Sequence, residues 1–152
     1  MVIATFQSGL YKLLYLGHMV AFVVAFAPAV IHPVLSAETK GDGDDGAYRR
    51  LLGHQVSNGR RVHFPALVVL GALGLGMVLV SDPVWAFDQT WVSLALLVWI
   101  AIGGVVSAML LPAERKVAGG DDGAEGAVQR AGGIVTLLLL VVLYLMIWKP
   151  GA

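Results

Sequence analysis

The sequence predicts an all-α membrane protein, a four-transmembrane-helix bundle of up-down topology. Three observations carry that prediction. Apolar residues make up 58% of the 152 residues, and the mean hydropathy is +0.81; this leaves too little polar surface for a soluble chain of this length. Successive apolar runs recur, most of them close to the length that crosses a bilayer's hydrocarbon core as a helix. Polar or glycine-rich stretches separate those runs. Ten basic residues balance ten acidic ones, and zero net charge gives no reason to expect nucleic acid as a partner. The absence of cysteine excludes disulfides, thiolate metal sites and thiol-attached c-type haem.

The first span is expected at about residues 6–35, around LLYLGHMVAFVVAFAPAVI. A secretory signal also begins with a short polar region before apolar sequence, here containing Lys12. This run exceeds an h-region and continues into Pro28 and Pro33, so it reads as a retained helix. Pro28 removes an N–H, and the carbonyl it frees needs cover from a neighbouring helix. Residues 36–63 form the first connection. Its acids and glycines read as loop, with Asp44 or Asp45 capping an interfacial helix from near Ala47 and a break at Asn58-Gly59.

The second span is expected at 64–80, with Pro65 in its first turn. Gly71, Gly74 and Gly76 interrupt it, and Ala72 with Gly76 has the small-residue spacing that lets helix backbones approach. A short turn follows, with Trp85 and Trp91 suited to the headgroup region. The third span is expected at 91–111, stopping at Pro112. Gly103 with Ser107 and Gly104 with Ala108 repeat the small-residue spacing, so Gly74, Gly76 and Gly104 are the expected packing positions. A charged connection at 112–132 leads to the last span at 133–148, which ends in Trp148, Lys149 and Pro150. The acids of the connection lack calcium-loop spacing and read as solvated. The whole chain, 1–152, reads as a single membrane domain.

Orientation follows from the basic residues. Lys40, Arg49, Arg50, Arg60 and Arg61 lie in the first connection, and Arg115, Lys116 and Arg130 in the third. Only Lys12 and Lys149 lie toward the other side. The bias predicts cytoplasmic connections at 36–63 and 112–132, both termini outside, and a multi-pass protein of the inner (plasma) membrane.

Depth then sorts the histidines. His32, His54 and His63 fall near the cytoplasmic interface, whereas His18 lies inside the first span. An ionisable side chain there is expected to face the bundle and to have a partner: a cofactor, or Tyr144, Ser107 or a backbone carbonyl. Bis-histidine haem is excluded, because no second histidine shares its depth. Met77 and Met146 fall in the same halves of their own spans. His18 with these thioethers leaves haem b or copper open as cofactors.

The segments YKLLYLGHMVAFVVAFAPAVIHPVLSAE, RRLLGHQVSNGRRVHFPALVVLGALGLGMVLV and WVSLALLVWIAIGGVVSAMLLPAERK resemble a group of small bacterial four-helix integral membrane proteins of unknown function. That group is itself similar in pattern to copper-resistance D-like proteins and to the HemJ type of protoporphyrinogen oxidase. The resemblance covers about residues 11–116. It implies that His18 matches a first-helix histidine used around haem; the HemJ-type pattern has Trp and Gly after it, where this chain has Val23, Val24 and Phe26.

No catalytic motif is present, and no acidic residue falls within an expected span. Two functions are therefore expected. One is an accessory or structural component of a membrane assembly, partnered by lipid, another membrane protein or further copies of itself. The other is a haem- or copper-binding bundle with His18 as ligand.

Overall fold

The computed structural model describes residues 8–41, 45–81 and 84–151. The expected helix start at Phe6 and the capping role given to Asp44 lie outside them. The described residues are helical almost throughout: α1 (Gly9–Gly41), α2 (Asp45–Asn58), α3 (Phe64–Val80), α4 (Thr90–Val105), α5 (Leu111–Ala118) and α6 (Glu125–Trp148). Four continuous helical stretches among them, Gly9–Thr39, Gly46–Val80, Thr90–Ala118 and Asp122–Trp148, are long and apolar enough to cross a membrane. The fold is an all-α four-helix bundle.

Two expected interruptions are absent. Helix α2 runs through Asn58-Gly59 into α3 by a π-helical turn, Gly59–His63, and α4 runs into α5 by another, Val106–Leu110. Each turn immediately precedes a proline in the first turn of the next segment, Pro65 or Pro112. A proline in a regular helix lacks its N–H and collides with the carbonyl four residues back. The extra residue of a π turn widens the spiral at that point and relieves the collision. Pro112 therefore does not stop the third helix. At Gly59 the bundle is also tight, since a Cβ there would sit 2.6 Å from Leu111 Cδ2.

Helix α1 packs chiefly on α3, α4 on α6, and α2 on α5. The main core lies where the long helices meet and includes Phe26, Leu67, Leu70, Val98 and Ile102. A second core joins Tyr48 and Leu52 of α2 to Val117 of α5. It explains why the stretches expected as connections are largely helical: one apolar stripe on each packs, while most of the charges, such as Arg115 and Lys116, lie outward. Arg49 also pairs with Asp122, Nη2 to Oδ1 at 3.0 Å. In contrast, Leu13, Leu16, Val23, Val30 and Val34 of α1, Leu97 and Ile100 of α4, and Leu137 and Leu140 of α6 are more than half exposed. Such apolar surface on several helices suits lipid rather than water.

Within α1, Pro28 frees the carbonyl of Val24, and a neighbouring helix covers it as expected. His63 donates from Nδ1 to Val24 O at 2.7 Å. His63→Leu should cost about 0.6 kcal/mol, the usual worth of an interhelical hydrogen bond in a membrane protein. The cost should shrink in a Pro28→Ala background, where the restored N–H of residue 28 occupies that carbonyl. A double-mutant cycle in detergent reads the coupling; strict additivity would show that the two residues do not share Val24.

Candidate functional site

The site is built on the bare backbone of α3. A helical carbonyl lies beside the side chain four residues later, so glycine at that later position opens the carbonyl to a donor from another helix. Gly71 and Gly74 do this for Leu67 and Leu70. From α4, Trp99 donates Nε1–H to Leu67 O at 2.8 Å, and its indole lies where a Cβ on Gly71 would be. From α1, His18 donates Nδ1–H to Leu70 O at 2.9 Å, with its Cε1 3.2 Å from the position of a Cβ on Gly74. Both bonds sew a neighbouring helix to α3 where side chains are missing.

The second bond fixes the histidine's tautomer. A carbonyl oxygen only accepts, so Nδ1 carries the proton and neutral His18 leaves the lone pair of Nε2 available. His18 thus turns inward, and of its expected partners the structure provides a backbone carbonyl. Tyr144 instead stacks on Trp148, with centroids 5.0 Å apart, and Ser107 donates to Gly103 O of its own helix at 2.7 Å.

His18 lines a cavity of about 420 Å³ at the end of the bundle near the α3–α4 turn. Met77 and Met146 line the same cavity, so the structure brings the three candidate ligands to one space. Its walls are largely apolar and include the aromatic rings of Tyr15, Phe22, Trp85, Trp91 and Trp99. Trp85 and Trp91 meet edge to face at 5.2 Å, and Trp91 donates Nε1–H to Gln89 Oε1 at 3.0 Å. Helix α6 ends at Lys149, which adopts a left-handed φ of 45°. Its Nζ lies 4.3 Å from the Trp85 ring centroid, a cation–π contact at the same end. The arrangement is an apolar chamber with one imidazole lone pair, three thioethers (Met19, Met77 and Met146) and one cation among its lining groups.

The expected packing positions divide. Gly74 receives His18, and Gly76 faces Leu14 at ordinary contact distance, 3.6 Å. Among the described residues a Cβ on Gly103 or Gly104 would meet nothing within 4 Å, so neither glycine receives a neighbouring helix there. Spacing alone shows where a backbone is bare, not what lies against it. Glu114 was missed altogether. It sits beyond Pro112 in a segment that reads as loop, yet it is 2% exposed on the face that buries Ala113 and Val117. The signal available for it was that register, an acid three residues before the valine of an apolar stripe.

Compared with known proteins, the chain matches no family model, no curated protein and no solved structure. Its class rests on its own architecture: it is a multi-pass α-helical membrane protein.

Proposed function

We propose that the protein is a non-catalytic component of a membrane assembly whose cavity holds a cofactor at His18. The observation that supports this is the hydrogen bond to Leu70 O, which holds the imidazole and leaves Nε2 as a free donor atom beside the cavity. Histidines that bind metals are commonly oriented by such a bond from the other ring nitrogen. With Met77 and Met146 on the same lining, the donors are an imidazole and thioethers. That set suits haem iron or copper and is poor for hard cations, so the residues fit haem b or copper as occupant. Such a cofactor supplies one-electron chemistry when bound. The chain's own residues would hold and orient it against largely apolar walls. The distant likeness to copper-resistance D-like and HemJ-type proteins, by way of the four-helix group of unknown function, is consistent with this choice.

Protein purified from its native membrane in mild detergent should show a Soret band or bound copper in near-stoichiometric amount. Met77→Leu or Met146→Leu should shift the spectrum and so identify the second ligand. A colourless, metal-free preparation would leave only the structural component.

The basic residues support an inner-membrane orientation with both termini outside, which places this cavity in the outer half. Cysteine at exposed Asp88 should then react with an impermeant thiol reagent in intact cells. Cysteine at Gly126, where a side chain has open space, should react only after permeabilisation. The reverse pattern would invert the orientation.

A further inference from the structure

A second cavity, of about 550 Å³, lies toward the other end of the bundle, where α1, α2, the two π turns and α6 converge. Phe26, Phe64, Ile102, Leu111 and Val135 supply much of its apolar lining. Two polar atoms of lining residues are buried and have no hydrogen-bond partner among the described residues: Glu114 Oε2 and His32 Nε2. The other nitrogen of His32 is 3.3 Å from Ser36 Oγ, so only Nε2 remains unserved. Glu114 as a whole is 2% exposed. A buried carboxylate without a donor is strongly disfavoured, and an unserved buried nitrogen adds to the cost. Both features indicate that the site is completed by something beyond the described side chains.

The chemistry narrows what completes it. Among the described residues no three histidine or acidic side chains gather as a metal would require, although His63 and Glu114 line this cavity together with His32. The occupant must bring donors, since a carboxylate offers only acceptors. It must also bring an apolar body to match the lining, and positive charge neutralises the carboxylate without a proton. A cavity of this size takes a molecule of a few rings or a short chain.

We propose that this cavity binds an amphipathic organic amine, its ammonium donating to Glu114 and its N–H within the reach of His32. The site is separate from the one at His18, and neither proposal depends on the other. Besides Glu114, His32 and His63, the polar side chains on the lining are the uncharged Ser36, Tyr48, Gln55, Gln129 and Thr136. Glu114 is therefore the only acidic side chain on the lining, and burial raises its pKa to about 7, so a cationic partner would stabilise its ionised form.

The test uses full-length protein in detergent and two fluorescent probes of one skeleton, 1-naphthylmethylamine and the neutral 1-naphthalenemethanol. Wild type should bind the amine saturably and at least about tenfold more tightly than the alcohol, since only the amine answers the carboxylate. Glu114→Gln, which keeps the shape and removes the charge, should abolish that preference, and His32→Phe should weaken amine binding. Absence of saturable binding, equal binding of both probes, or unchanged preference in Glu114→Gln would overturn the proposal. If Glu114→Gln does not fold, Ala29→Leu decides. It fills the cavity from α1 and leaves the carboxyl in place, and unchanged amine binding there would overturn the proposal equally.

Discussion

Gly71→Ala is expected to destabilise the bundle by about 2–4 kcal/mol, more than any other single methyl addition in the membrane core. Overpacking a tight contact costs about 1–3 kcal/mol, and the interhelical bond lost with it is worth roughly 0.6–1.7 kcal/mol. The new methyl would occupy the place of the Trp99 indole, whose displacement breaks its bond to Leu67 O. A large residue has nowhere to retreat when the partner helix is also packed on α6. Trp99→Leu should be partly compensatory in the Gly71→Ala background, because the smaller side chain vacates the position. Gly104→Ala serves as the control and should stay within about 0.5 kcal/mol of wild type, as its Cβ would meet nothing within 4 Å among the described residues. Unfolding in mixed micelles with rising dodecyl sulfate measures all four proteins. A Gly71→Ala variant as stable as the control would show that α4 does not rest on α3 at this point.

The other large effect concerns the proposed cofactor. His18→Gln and His18→Leu should both abolish binding of haem or copper, since neither side chain offers an imidazole nitrogen. Their stabilities should differ, with glutamine better tolerated because it can still donate to Leu70 O. Gly74→Ala leaves the ligand in place but crowds it, with 3.2 Å between the new Cβ and His18 Cε1. A shift of the ring that disturbs the bond to Leu70 should weaken binding about 10–100-fold, the usual effect of losing an orienting partner. Spectra and metal content across the three variants measure it. Retention of cofactor by His18→Leu would remove His18 from the site.

These effects were unequally legible in the sequence. The four long helices follow from apolar run length alone, and the inward histidine follows from the cost of facing lipid with an ionisable ring. Depth counting placed Met77 and Met146 in the same half as His18, and the cavity indeed collects all three. What the sequence hides is azimuth. Gly71, Gly74 and Gly104 look alike as letters, but two receive side chains from neighbouring helices and one faces open space. Glu114 shows the same limit. Its neighbours Arg115 and Lys116 are exposed, and in a helix one residue's step turns the chain by about 100°. That turn carries Glu114 from the charged face to the core. The π turns before Pro65 and Pro112 are equally invisible to propensity, which marks a proline as a stop and does not foresee the widened turn that lets the helix pass.

The account turns on the tautomer of His18, because the Leu70 carbonyl must hold the proton on Nδ1 for Nε2 to remain a ligand. Nitrogen-15 resonances of imidazole-labelled, cofactor-free protein, assigned by comparison with His18→Gln, read that proton directly. The account predicts a neutral ring at neutral pH with a protonated Nδ1 and a bare Nε2. An Nε2–H tautomer, or a ring protonated on both nitrogens, would contradict it.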